Sequence, residues 1–262
     1  MRIARFKTKD GSVHYGVVKG EAISLIDGDI FGAWKETAKN VKLSDVSLLC
    51  PVEAKSILAI GKNYKAHAAE SGEDIPTRPL LFIKAVTCQN HPGAPVVLPA
   101  IAPAAVDYEA ELVVVIGKTA KKVSEKDALK YVLGYTCGND ISARDCQSTD
   151  GQWARGKSFD TFGPMGPWLE TDLDPTNLDI QIRLNGTTLQ QANTKLMIFP
   201  VAHLIHFLSQ GMTLTPGTVI FTGTPAGVGF ARDPKVILKA GDAMEVEIQR
   251  IGVLKNTVVN DR

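Results

Sequence analysis

One segment constrains the fold of this chain more than any other: Val106-Asp-Tyr-Glu109-Ala-Glu111-Leu-Val-Val-Val-Ile116. Its second half, residues 112–116, is apolar without a break and mostly β-branched, which favours an extended strand buried on both faces. A chain of 262 residues can enclose such a strand, because proteins of this size bury roughly 70–75% of their unfolded surface. Side chains alternate direction along a strand, so Glu109 and Glu111 share one face at its entrance. Two like charges there repel and resist ionisation unless a cation lies between them. Oxygen-only donors favour Mg²⁺, with Mn²⁺ or Ca²⁺ as alternatives, over zinc. Asp140, just beyond the strand-like residues 132–137, is the candidate third carboxylate. The competing reading is a pair of exposed edge charges, and the two glutamates alone leave both readings open.

Elsewhere, short β-favouring runs alternate with Gly and Pro punctuation. Strands are expected at residues 3–6, 14–18 and 22–26, separated by turns at Asp10-Gly11 and Lys19-Gly20 and closed by a short helix over 31–37. These form a small N-terminal β lobe, residues 1–50, with Cys50-Pro51 as the boundary to a main domain, residues 51–262. There the expected strands are 56–60, 80–83, 109–116, 178–184, 219–222 and 245–251, and the expected helices are 64–70, 125–132 and 201–210, the last ending at Gly211. Asn185-Gly186 between two strand-like runs signals a two-residue hairpin with a type I′ turn. The fold class is α+β and β-rich. Residues 71–79, rich in Gly, Pro and charge, have the composition of a surface loop where a lid could sit.

Composition excludes several function classes. The 29 basic residues nearly cancel the 28 acidic ones, and no basic block appears, so neither nucleic acid nor a membrane surface is an expected partner. No apolar run approaches the roughly 20 residues of a bilayer span. The four cysteines form no C-x-x-C pair, which fits a reducing compartment. The basic N-terminus lacks the apolar core of a secretory signal. A cytoplasmic location is expected, or the mitochondrial matrix if a presequence has been removed.

Two glycine-rich matches fail on mechanism. Gly151-Gln-Trp-Ala-Arg-Gly156-Lys157-Ser158 fits the nucleotide phosphate-loop pattern, but that device needs an apolar strand before the loop and a helix starting at Lys-Ser. The preceding segment is polar, and two prolines follow within one would-be helix. In Gly223-Thr-Pro-Ala-Gly-Val-Gly229, Pro225 removes an amide that a dinucleotide fingerprint requires.

His67 and Glu70 lie three apart in an expected helix, hence on one face. A carboxylate orients an imidazole and raises its basicity, which is how a general base for water is built. A solvated surface pair is the bland alternative. Lys157 and Arg144 could anchor a substrate carboxylate, although isolated basic residues in loops are commonly just solvated.

Five blocks in order resemble the fumarylacetoacetate hydrolase (FAH) superfamily over residues 51–259. They are Gly61-Lys-Asn-Tyr-Lys-Ala-His67-Ala-Ala-Glu70, Asp107-Tyr-Glu109-Ala-Glu111-Leu, Asn139-Asp140-Ile-Ser-Ala-Arg144-Asp-Cys-Gln147, Gly156-Lys157-Ser-Phe-Asp-Thr-Phe and Thr222-Gly-Thr224-Pro-Ala-Gly-Val-Gly229. The resemblance implies a mixed β-roll catalytic domain with a small N-terminal lobe, a homodimer, and a divalent metal. It implies Glu109, Glu111 and Asp140 as metal ligands, Lys157 as the active-site lysine, and Arg144, Gln147 and Thr224 as substrate contacts. His67 and Glu70 match a dyad carried on a lid helix. Ala85 departs from the family, many of whose members have proline after the lysine matching Lys84. The blocks look like the short FAH-domain proteins, which implies small 2-oxo acid substrates. The expected chemistry is C–C cleavage, by oxaloacetate decarboxylation or acylpyruvate hydrolysis. Oxaloacetate keto–enol tautomerisation or a diene-dioate isomerisation is the alternative. A non-catalytic FAH-fold protein binding metal and oxo acid is the reading of another class.

Overall fold

The computed structural model describes every residue except Ser71, Glu73, Pro103 and Arg262. Two of these belong to the expected lid loop, so that part of the expectation lies outside the described residues. The described part of the loop, Gly72 and residues 74–79, has no helix or strand and is mostly exposed.

Strands dominate, as the pattern of short apolar runs requires. The main sheet runs Trp34–Lys42, Ala22–Gly28, Val13–Lys19, Arg2–Lys7, Gly163–Glu170, Val132–Asn139, Ala110–Ile116, Thr218–Phe221, Ser56–Gly61 and Leu80–Lys84. Ala110–Ile116 lies deep in this order, antiparallel to both neighbours, and every residue of it is buried. Each of its large aliphatic side chains contributes roughly 1.5–3 kcal/mol by leaving water. A second sheet, Thr187–Asn193, Asp179–Leu184, Ala243–Ile248, Gly252–Asn260 and Val96–Leu98, packs beside the first. At its hairpin tip Asn185 and Gly186 have φ of 51° and 80°, the two positive values a type I′ turn needs.

Two expected helices take other forms. Residues 31–37 do not form a helix: from Trp34 the chain enters the strand Trp34–Lys42, which pairs with Ala22–Gly28 through Gly28↔Trp34 and Asp27↔Lys35. A tight turn explains the change. Asp29 N–H donates to the Ala33 carbonyl, and Gly28, at φ 110°, has no room for a Cβ against the Ala33 carbonyl. The returning chain is thus set to continue the ladder, and Thr37 and Val41 suit a strand. Residues Glu125–Tyr131 are a 3₁₀ helix and Val132 already begins the next strand. Lys65–Glu70 and Val201–Gly211 are α-helical as expected. Among the described residues no helix is long and apolar enough to cross a membrane, and all four cysteines are unpaired and buried.

Candidate active site

The fold gathers the expected residues at one cavity of about 440 Å³. Its walls include His67, Glu70, Glu109, Glu111, Arg144, Gln147, Lys157 and Thr224. Asp140 lies behind it and is buried. Glu109 precedes the strand Ala110–Ile116 and Glu111 is its second residue. The pairing Ala110↔Asn139 with the neighbouring strand brings Asp140 alongside, and Asp140 N–H donates to the Glu109 carbonyl. One ligand oxygen from each of Glu109, Glu111 and Asp140 lies within 4.8 Å of the others, and all three residues are buried. The reading of Glu109 and Glu111 as solvated edge charges is therefore wrong for this fold.

Burial of like charges is made tolerable by cations. Lys157 Nζ donates to Glu109 Oε2 at 2.7 Å and to Asp140 Oδ2 at 2.8 Å. Lys84, 1% exposed, donates to Asp140 Oδ1 and to the carbonyls of Lys157 and Phe162. Arg144 pairs with Asp107 at 2.8 Å and Glu109 at 2.7 Å, and its Nη1 donates to Gln147 Oε1. Asp107 also accepts from the backbone amides of Tyr108, Gly229 and Phe230. Four carboxylates thus face three buried cations. Burial opposes ionisation of Glu109, but Lys157 and Arg144 outweigh it and hold the group at about 2. Lys157 is stripped of water, which disfavours its charge, yet Asp140 and Glu109 raise it above the ordinary lysine range. Glu111 goes the other way: burial and then the charges of Asp140 and Glu109 push it well above the usual carboxylate range.

That imbalance is the test of whether a metal fits. The cluster has one carboxylate too many, the surplus falls on Glu111, and the donors are all hard oxygens, so a divalent cation suits it. A proton on Glu111 competes with such an ion. Calorimetric titration with Mg²⁺ in buffers of different ionisation enthalpy is expected to show protons released as the ion binds. Affinity should weaken by up to about tenfold per unit as pH falls. Binding without proton release would contradict the arrangement.

The dyad residues also come together. His67 Nδ1 and Glu70 Oε1 are 2.7 Å apart, and Glu70 Oε2 accepts from Gly227 N–H at 2.8 Å, which latches the helix onto the loop after Thr218–Phe221. Buried at 8% exposure, His67 is not part of a solvated surface pair. Thr224 donates its hydroxyl proton to the Ala110 carbonyl and accepts from Gln190, so it braces the cavity wall against the ligand-bearing strand.

Sequence reasoning missed Lys84, Asp107, Phe82 and Trp153. In the sequence Lys84 stands out only through the residue after it, Ala85, which takes the place of a proline. Ala85 has φ −60°, a value proline shares, but its N–H donates to Ser158 Oγ, a bond proline could not make. The rejected phosphate-loop match has a different physical basis. Its segment follows the helix Arg144–Thr149 rather than a strand. Gly156 is required because a Cβ would come 2.8 Å from Gln147 N, and Trp153 and Lys157 both line the cavity.

Two family models match the chain. The fumarylacetoacetate (FAA) hydrolase C-terminal family matches residues 56–259, and an Rv2993c-like N-terminal family matches residues 1–51. A 2,4-didehydro-3-deoxy-L-rhamnonate hydrolase from Sphingomonas is 49% identical over 77% of this chain and 72% of its own. The oxaloacetate tautomerase fahd2, mitochondrial, of Xenopus laevis is 44% identical over 82% of this chain and 69% of its own. A crystal structure of 2-hydroxyhepta-2,4-diene-1,7-dioate isomerase from Mycobacterium marinum superposes with a TM-score of 0.90, at 40% identity, covering 100% of this chain and 99% of that one.

Proposed function

The chain belongs to the fumarylacetoacetate hydrolase family, and on that premise we propose that it is an enzyme of small 2-oxo acids that cleaves a C–C bond by way of an enolate. Residues 51–262 form the catalytic unit and residues 1–50 an accessory lobe. The observation that carries the proposal is the buried Glu109–Glu111–Asp140 cluster opening on the same cavity as the His67–Glu70 pair. Held by those three carboxylates, Mg²⁺ (or Mn²⁺ or Ca²⁺) would supply a Lewis acid for the substrate's 2-oxo oxygen.

The chain's own groups do the rest. Lys157 fixes Glu109 and Asp140 and places positive charge where the enolate's negative charge develops, and losing one such stabiliser commonly costs about 3–4 kcal/mol of barrier. Arg144 and Gln147, bonded to each other, form the wall that receives the substrate carboxylate. Glu70 accepts from His67 Nδ1–H and so leaves Nε2 to take a proton from water. The latch to Gly227 holds that geometry. A pure binder of metal and oxo acid would need only the carboxylate half of this constellation, so the intact dyad favours catalysis.

Tautomerisation is the second reading, supported by the identity to the Xenopus tautomerase. It uses the same residues to move a proton at C3. Proton NMR of fresh oxaloacetate with enzyme and Mg²⁺, against an EDTA control, separates the two. Metal-dependent pyruvate supports cleavage, and faster enol–keto exchange without pyruvate supports tautomerisation. No acceleration with oxaloacetate or with acylpyruvates would overturn both. For an acylpyruvate, His67→Ala is expected to lower hydrolysis about 10²- to 10⁴-fold, and unchanged hydrolysis would remove His67 from the water-activating role.

A further inference from the structure

A second cavity, of about 600 Å³, shares no lining residue with the active site. Its walls include Lys118, Lys121, Lys122 and Lys130, with Ser124 and Asp127. In sequence these lysines are interrupted by Thr119, Ala120, Val123, Ser124, Glu125 and Asp127, and it is the fold that collects them. Asp127 is already committed: Oδ1 accepts from Lys130 Nζ at 2.7 Å and Oδ2 from the Ser124 hydroxyl at 2.6 Å. Glu125 is engaged by His203 at 3.1 Å. Among the described residues Lys118, Lys121 and Lys122 have no ion-pair partner. Like charges gathered around one cavity repel one another, and an anion between them would turn that repulsion into attraction.

The loop that carries these cations is held by its backbone. Gly117 N–H and Lys118 N–H both donate to the Tyr131 carbonyl, at 2.7 and 3.3 Å, and Ala120 and Leu214 exchange a pair of backbone bonds at 2.8 and 2.9 Å. Lys122 N–H donates to the Ser209 carbonyl at 2.9 Å, and Val123 N–H donates to Ser209 Oγ at 3.0 Å. Ala120 and Val123 are buried while the lysines beside them are exposed, so the chain is anchored between its charges. Lys122 has φ 50°, a left-handed conformation uncommon for a residue other than glycine. A backbone fixed before a ligand arrives spares the ordering cost of binding. The donor type narrows the ligand. No arginine lines the cavity, and the planar fork of arginine is the usual match for a carboxylate, whereas the lysine ammonium is a point charge well suited to phosphate oxygens. Several ammoniums around one cavity call for several linked negative charges.

We infer that this cavity is a binding site for an oligophosphate, a chain of linked phosphate groups held by Lys118, Lys121, Lys122 and Lys130, supplied either free or as the tail of a nucleotide. Calorimetric titration with tripolyphosphate at physiological ionic strength, with EDTA present, tests it. Without a metal the active-site carboxylates repel the probe, and salt screens scattered surface charge beyond about 8 Å. One tripolyphosphate is expected to bind per chain, at least about tenfold tighter than sulfate, because each further charge-assisted bond adds affinity. Lys121→Gln combined with Lys122→Gln should weaken it at least about tenfold. Lys39→Gln combined with Lys42→Gln removes the same charge from the edge strand Trp34–Lys42 and should change binding less than about twofold. All four of these lysines are exposed, so neither pair threatens the fold. ATP that binds tighter than tripolyphosphate would identify a nucleotide as the source, and ATP that binds no tighter would identify a free oligophosphate. No saturable binding, sulfate or an oligoglutamate peptide binding as tightly, or equal weakening by the two pairs of substitutions would each overturn the site.

Discussion

Glu111→Gln is expected to make the metal-free protein more stable and indifferent to magnesium. In the wild type Glu111 is pushed well above the usual carboxylate range by burial and by Asp140 and Glu109, so an ionised Glu111 is better accommodated in the unfolded chain than in the fold. Glutamine keeps the shape and can still accept from Gly223 N–H, which lies 2.7 Å from Glu111 Oε2. It removes only the misplaced charge. The sign of the pH dependence follows. Below the ordinary glutamate value of about 4.3 the side chain is protonated in both states and the substitution changes little. As pH rises toward the elevated folded-state value the wild type loses stability that the variant keeps. A gain on the order of 1–2 kcal/mol near neutral pH is expected, because the variant no longer has to take up a proton or bury a charge on folding. Magnesium at a hundred times its dissociation constant should stabilise the wild type by about 2.7 kcal/mol and the variant hardly at all. Turnover should fall by about 10²- to 10³-fold or more. Urea unfolding at two pH values, with and without Mg²⁺, checks each part. A destabilised variant that still responds to magnesium would refute the charge argument.

The second large effect lies at Asp107, which stands outside the cavity lining. Its side chain has 0% exposure and accepts from Arg144 twice and from three backbone amides. Asp107→Ala strands the Gly229 and Phe230 amides and leaves the buried Arg144 with Glu109 as its remaining carboxylate. Removing one partner from a buried ion pair costs about 3–5 kcal/mol. Asp107→Asn keeps an acceptor for the amides and should cost about half as much. Because the loop through Gly227 latches Glu70, turnover should fall even in the milder variant. Urea midpoints for both substitutions measure the effect, and a loss below about 1 kcal/mol from Asp107→Ala would show that the hub is not structural.

The different legibility of these residues has a physical reason. Glu109 and Glu111 could be read from local pattern alone, because period-two geometry and a buried apolar strand are properties of consecutive residues. Asp140 was reachable because it ends the paired strand. Lys84 and Asp107 were not, since their meaning comes from partners far along the chain: Lys84 bonds Asp140, 56 residues away, and Asp107 bonds Arg144, 37 residues away. Trp153 was visible only inside a motif rejected for another chemistry. Its place on the cavity wall depends on the close approach of Gly61, where a Cβ would come 2.9 Å from the indole Cη2. The helix expected over residues 31–37 failed for a similar reason, as Trp34 and Lys35 take their conformation from pairing with Gly28 and Asp27. Residues 125–131 kept helical turns but tightened to 3₁₀ geometry, a distinction no apolar period encodes.

The parallel pairing of Thr218–Phe221 with Ser56–Gly61 also has a consequence during synthesis. As the chain emerges from the ribosome, Glu109, Glu111, Asp140 and Lys157 are all made well before Thr218–Phe221, the strand that closes Ala110–Ile116 on its other side, and before Gly223, whose amide meets Glu111. Until those last residues arrive, Ala110–Ile116 lacks its partner on that edge. Such an intermediate is prone to pair with other chains. A nascent chain halted before residue 218 should therefore depend on chaperones that shield strand edges, and release past that strand should end the dependence.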